Sequence, residues 1–101
     1  MSIFVTVTFD LNYADPSDYA LVKKELEKID LSKFIIGRRK EVQLPANTFA
    51  SEFNNNDFGR STELRKYIEK EVRRIFKDNN LSGKFFIFVG KKWAWKVGNV
   101  R

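Results

Sequence analysis

The chain has neither cysteine nor histidine among its 101 residues. Without cysteine there is no disulfide, no thiolate zinc site and no thiol nucleophile. Without histidine the commonest general base is missing, and with it the Ser-His and Cys-His arrangements of nucleophilic catalysis. Hydrolytic chemistry is left to carboxylates, tyrosine, lysine, serine or a metal held by oxygen ligands, and zinc is not expected. Glycine and proline are scarce, with 5 and 2 residues. No glycine-rich phosphate cradle, dinucleotide fingerprint, zinc motif or RNP-type aromatic motif occurs, so no nucleotide cofactor is expected. No apolar run approaches the about 20 residues of a membrane span. The N-terminal "MSIFVTVTFD" alternates and carries Asp10, without the basic start and small-residue cleavage site of a signal peptide. A cytoplasmic protein without a membrane partner is expected.

What is present is aromatic and basic. Hydrophobic residues make up 43% and aromatics 15%, with ten phenylalanines. That is enough to build a core, and the length fits one domain over 1–101. The net charge is +6, unevenly placed: residues 1–59 hold 7 basic and 9 acidic side chains, residues 60–101 hold 12 and 4. A basic field confined to one half favours a polyanion, most simply RNA or DNA. A plain solubility surface is the alternative.

Hydropathy periodicity divides the chain. "SIFVTVTFDL" puts Ile3, Val5, Val7 and Phe9 on one face and Phe4, Thr6, Thr8 and Asp10 on the other, which predicts a strand with one buried face. "NYADPSD" reads as a loop. Asp15 before Pro16, with Asp18 following, predicts a helix start. Tyr19, Val22, Leu26 and Ile29 repeat at helical spacing, with an end near Asp30. "KFIIGRRKEVQL" predicts a second strand, bent or interrupted at Gly37, with Phe34, Ile36, Val42 and Leu44 on one parity. "PAN" is a turn. "TFASEF" is a third strand, paired as a hairpin with the second. "NNNDFGR" is a polar loop. Ser61 then caps a second helix whose stripe is Leu64, Tyr67, Ile68, Val72, Ile75 and Phe76. "KFFIFV" predicts a strand buried on both faces, and "WAWKV" a short terminal strand. The order β-α-β-β-α-β, plus that last strand, predicts an α+β domain of the ferredoxin-like, split βαβ kind, an antiparallel sheet with both helices on one face.

Three groups of residues are candidates for function. Asp10 ends the first strand, where an acid is able to ligate Mg²⁺ or Mn²⁺ with waters and phosphates completing the shell; otherwise it caps the following loop. Arg38, Arg39 and Lys40 form a basic run within "IGRRKE". Arg65, Lys66, Lys70, Arg73, Arg74 and Lys77 surround the second helix, and the spacing of Lys66, Lys70, Arg73 and Lys77 puts these four on one face. Such a stripe tracks phosphates; the competing reading is a solvated face paired to Glu63, Glu69 and Glu71. Trp93, Trp95 and Val97 share parity on the last strand. They are expected to be buried in the core or across a homodimer interface. Base stacking beside Lys91, Lys92 and Lys96 is the other reading.

An apolar first strand ending in aromatic-Asp, here "VTVTFD" with Phe9-Asp10, followed by this element order, resembles the small ferredoxin-like proteins of the CRISPR adaptation complex and the related antitoxin endoribonucleases. The resemblance implies a homodimer whose terminal strand extends the partner's sheet. It also implies Asp10 as a metal ligand shared between protomers, and RNA or DNA as substrate. The acidic "LNYADPSD" after Asp10 departs from that pattern, which carries basic residues there. The expectation is a small nucleic-acid-binding accessory protein of a toxin–antitoxin or mobile-element defence system, with a metal-dependent endoribonuclease activity in view. The alternative is an antitoxin or adaptor that binds a protein partner by its sheet edge.

Overall fold

The computed structural model describes residues 2–36, 40–54, 61–92 and 94–100. Its elements are β1 (Ser2–Leu11), α1 (Pro16–Glu27), β2 (Phe34–Ile36), β3 (Glu41–Gln43), β4 (Thr48–Asn54), α2 (Ser61–Asp78) and β5 (Gly83–Gly90). The architecture is α+β, with a three-stranded antiparallel sheet in the order β4-β1-β5 and a two-stranded antiparallel pair β2-β3. Among the described residues no helix is long and apolar enough to cross a membrane.

β1 alternates as its sequence requires. Ile3, Val5, Val7 and Phe9 are buried against the helices, and the intervening residues face the other side. β1 is the central strand, paired with β4 on one side and β5 on the other. Phe9 is the hub of an aromatic cluster. Its ring stacks on Tyr19 at 5.9 Å and Phe49 at 5.8 Å and meets Phe76 edge-on at 6.1 Å. Phe76 continues edge-on to Phe85 at 6.1 Å. From the helices, Val22, Leu26, Leu64, Ile68, Val72 and Ile75 complete the core.

Both helix ends are specified locally. Asp15 and Asp18 form a reciprocal capping box around Pro16, as the sequence indicates. Each C-terminus closes in a Schellman motif with a residue other than glycine in the left-handed region: Asp30 (φ 68°) for α1 and Asn80 (φ 54°) for α2. Leu31 N–H donates to Leu26 O at 3.0 Å and Asp30 N–H to Glu27 O at 3.1 Å; Leu81 N–H donates to Phe76 O at 2.8 Å and Asn80 N–H to Lys77 O at 3.2 Å. Among the described residues α2 begins at Ser61, and residues 55–60 lie outside them. Asn47 (φ 64°) makes the expected turn before β4.

The hydrogen bonds from Ser17 and from the Asp18 amide hold the Asp15 carboxyl below its usual range. A lowered folded-state value adds stability above the unfolded-state pKa and loses it as pH falls through the folded one. Asp15→Asn keeps an acceptor but not the charge. Its melting temperature should fall below that of the unmodified protein at neutral pH, and the two should converge below about pH 4. A gap that stays constant down to acid pH would show that the charge contributes nothing.

Four sequence expectations are corrected. First, residues 34–43 are not one strand: β2 turns back on β3, pairing Phe34 with Gln43 and Ile36 with Glu41. The interruption expected at Gly37 falls between these two strands, and Gly37 itself lies outside the described residues. Second, β4 forms its ladder with β1. Its backbone hydrogen bonds to the segment before β2 are the reciprocal Ser32–Ala50 pair, at 3.0 and 2.9 Å, among the described residues. Third, β5 is covered on one side only, since both helices lie on the face of Phe9; Phe86 and Phe88 are 60% and 49% exposed. Fourth, residues 94–100 form no strand. Residues 94–97 line a cleft on the sheet face opposite the helices instead, and Val100 is fully exposed.

Gly83 has a role its place after the helix does not announce. A Cβ there would come within 2.1 Å of Asp10 O, where β5 begins pairing with β1. Gly83→Ala is expected to destabilise by roughly 1–3 kcal/mol, as overpacking does. An unchanged urea midpoint would show that the strand ends part without cost.

Candidate nucleic-acid interface

The strongest charge feature is on α2. Its buried residues form one stripe. At 100° per residue, Lys66, Lys70 and Lys77 fall within about 40° of one another and about 180° from Ile75 and Ile68. All three are exposed. The line from Lys66 to Lys77 runs about 16 Å along the axis.

The arginines of α2 do something else. Arg65 and Arg73 converge on Glu69, at 2.6 and 3.0 Å. Arg74 bridges Glu71 at 2.7 Å and Asp78 at 3.4 Å. Arg73 also lies over the Phe85 ring, 5.2 Å from its centroid. The hydrogen bond from Arg73 first, then that from Arg65, holds the Glu69 carboxyl below its ordinary range, and the Glu71 hydrogen bond holds Arg74 more firmly protonated. The local pairing anticipated for this helix therefore exists, but it engages arginines. Lys66, Lys70 and Lys77 have no ion pair among the described residues. Glu63 stands one turn before Lys66, and the acids adjacent to Lys70 and Lys77 in sequence, Glu69, Glu71 and Asp78, are the ones the arginines take up. Surface pairs of this kind add little stability; their consequence here is to match three basic side chains, Arg65, Arg73 and Arg74, with the three acids Glu69, Glu71 and Asp78.

The remaining candidates lie elsewhere. Lys40 is exposed and shares a shallow cleft with Glu41, Gln43, Pro45 and Lys96. Arg38, Arg39 and Trp93 lie outside the described residues. Trp95 does not join a terminal strand; it lines clefts on the open sheet face with Phe4, Ile35, Ala50 and Phe88. That contact explains why Ala50 is buried although its register partner Thr6 belongs to the open face. Val97 lines the same cleft as Phe88 and Trp95. The terminal-strand route to a dimer has no support in this arrangement.

Asp10 is exposed at the end of the central strand, on the open face, in register with Lys84 of β5. Its shallow surroundings are Thr8, Phe9, Lys84, Phe85 and Phe86. Among the described residues no group of three His, Cys, Asp or Glu could hold a metal ion. One carboxylate opposite an ammonium is a poor donor set for Mg²⁺, which prefers several oxygens and no competing cation. In a symmetric pair each Asp10 would bring its own Lys84. Asp10 also faces away from α2, so the chain does not place its candidate metal ligand beside its lysine stripe.

Sequence reasoning did not single out Phe86, Phe88 and Tyr13. Tyr13 is fully exposed at φ 50° in the loop after β1. The two phenylalanines were visible as an apolar run, and only the one-sided helix layer distinguishes exposure from burial. Compared with protein-family models, curated proteins and solved structures, the chain has no significant match.

Proposed function

We propose that the protein binds nucleic acid by gripping phosphates with the outer face of α2. The observation that carries this reading is the division of labour on that helix. The acids at 69, 71 and 78 are taken up by arginines, and Lys66, Lys70 and Lys77 are left aligned and without an acidic partner among the described residues. A single-sign row about 16 Å long matches several phosphates, which follow at about 3.4 Å per strand in duplex DNA. Contacts of this type are tolerant of sequence.

The Ser32–Ala50 bridge favours the finer ferredoxin-like reading, because it sets the segment before β2 beside β4 and would give the order β5-β1-β4-β2. The resemblance to CRISPR-adaptation and antitoxin proteins adds the proposal of an accessory role in a defence or toxin–antitoxin system. Binding is preferred over nuclease action, since Asp10 faces Lys84 and lies across the sheet from the lysine row. Fluorescence anisotropy with labelled duplex RNA and DNA tests the reading. Affinity should fall steeply between about 50 and about 200 mM salt. No binding at the lower salt would dismiss it and favour the protein-partner alternative.

A further inference from the structure

The face of the sheet away from the helices carries a second pattern. Phe86 and Phe88 alternate with the half-buried Ile87 on β5, so both rings stand on the open side, about 6.7 Å apart along the strand. They are 60% and 49% exposed. In the register of the sheet, Phe86 lies beside Thr8 and Phe88 beside Thr6. Beyond Phe88 the terminal segment folds over, and a cleft of about 310 Å³ opens between Phe88, Thr6, Trp95 and Pro45. That is the lower end of the size range of small-molecule pockets, enough for one ring system.

Large aromatics exposed on a sheet imply a ligand or a partner. Charge decides which. From residue 79 to the C-terminus the chain has no acid but has Lys84, Lys91, Lys92, Lys96 and Arg101. Lys84 continues the row of Phe86 and Phe88 on the open face, and Lys96 lies beside the cleft. Among the described residues, Asp10 and Glu52 stand at the two ends of this face, opposite Lys84 and Phe4 respectively, and Asp30 and Glu41 edge the neighbouring clefts, Asp30 with Trp95 and Glu41 with Lys96. Flat rings flanked by ammonium groups and threonine hydroxyls suit unpaired bases with their phosphates outside, a surface that a duplex, with its bases stacked inward, does not use. A second copy of the chain would instead bring lysine rows against each other.

We infer that the open sheet face is a binding platform for single-stranded nucleic acid, on which Phe86 and Phe88 stack successive bases and the cleft beside Trp95 receives a third. The inference rests on the nucleic-acid reading above but uses a different face of the molecule. The probe is a labelled oligonucleotide of about 12 bases, within the site sizes of such platforms, compared with a duplex of the same sequence. The double variant Phe86→Leu/Phe88→Leu keeps apolar, strand-compatible side chains and removes the flat rings. It should bind the single strand about 10- to 100-fold more weakly, with the same salt slope, unchanged duplex affinity and an unchanged melting temperature. Trp95 fluorescence should be quenched by the single strand. A double variant that binds the single strand as the unmodified protein does overturns the platform and leaves the α2 reading standing. Loss of duplex binding on α2 charge reversal, with single-strand binding intact and sensitive to the Phe pair, supports it. A dimer that the same variant dissociates, with no change in single-strand affinity, assigns the face to a second copy and overturns it.

Discussion

Phe9→Ala is expected to remove about half of the stability of the folded chain. A domain of this length is stable by roughly 5–15 kcal/mol, and truncating a buried phenylalanine costs roughly 3–5 kcal/mol through lost transfer energy and a cavity. Phe9 should lie at the upper end. It is 4% exposed and contacts rings from α1, β4 and α2. Rings held by three different elements have little freedom to collapse into the space. Urea unfolding followed by far-ultraviolet circular dichroism should show a midpoint reduced by about half. Phe86→Ala, on the same sheet but exposed, should move the midpoint by no more than about 0.5 kcal/mol equivalent. Equal effects for the two variants would contradict the one-sided packing of the sheet.

The second large effect is on binding. Lys66→Glu/Lys70→Glu/Lys77→Glu should lower the log–log salt slope of duplex binding by about 2.7, since each phosphate contact releases about 0.9 counterion. Reversal also adds repulsion, so affinity at low salt should drop by at least about 100-fold, uniformly across sequences. The fold should survive, because the three side chains point away from the core. Arg65→Gln/Arg74→Gln is the control. These arginines are engaged by Glu69, Glu71 and Asp78, and their loss should change the slope much less. If the arginine pair matters as much as the lysine triple, the grip is not the aligned row.

Much of this was legible from local signals. The alternation of "SIFVTVTF" identified a half-buried strand, Asp15-Pro16 with Asp18 identified a helix start, and the stripe from Leu64 to Phe76 identified the second helix. Each depends on neighbours within one or two turns, so it survives in any tertiary context that covers one face. The alignment of Lys66, Lys70 and Lys77 follows from helical geometry alone. Which cations of α2 are already engaged does not: Arg73 shares a face with the lysines in sequence, yet its side chain reaches Glu69 and Phe85.

What the sequence by itself determined, then, is the type and order of the main elements, their caps and the basic bias of the second half, because these arise from periodicity and short-range hydrogen bonding. Tertiary structure alone decided which face of each strand is covered. "KFFIFV" is apolar on both parities, and such a run does not distinguish two covered faces from one; the placement of both helices on the side of Phe9 leaves Phe86 and Phe88 in solvent. It likewise decided that residues 34–43 double back, and that Trp95 folds onto its own sheet where a terminal strand was expected. Strand pairing and the path of a terminus depend on backbone groups far apart in the chain, whose competing partners have no signature in local sequence.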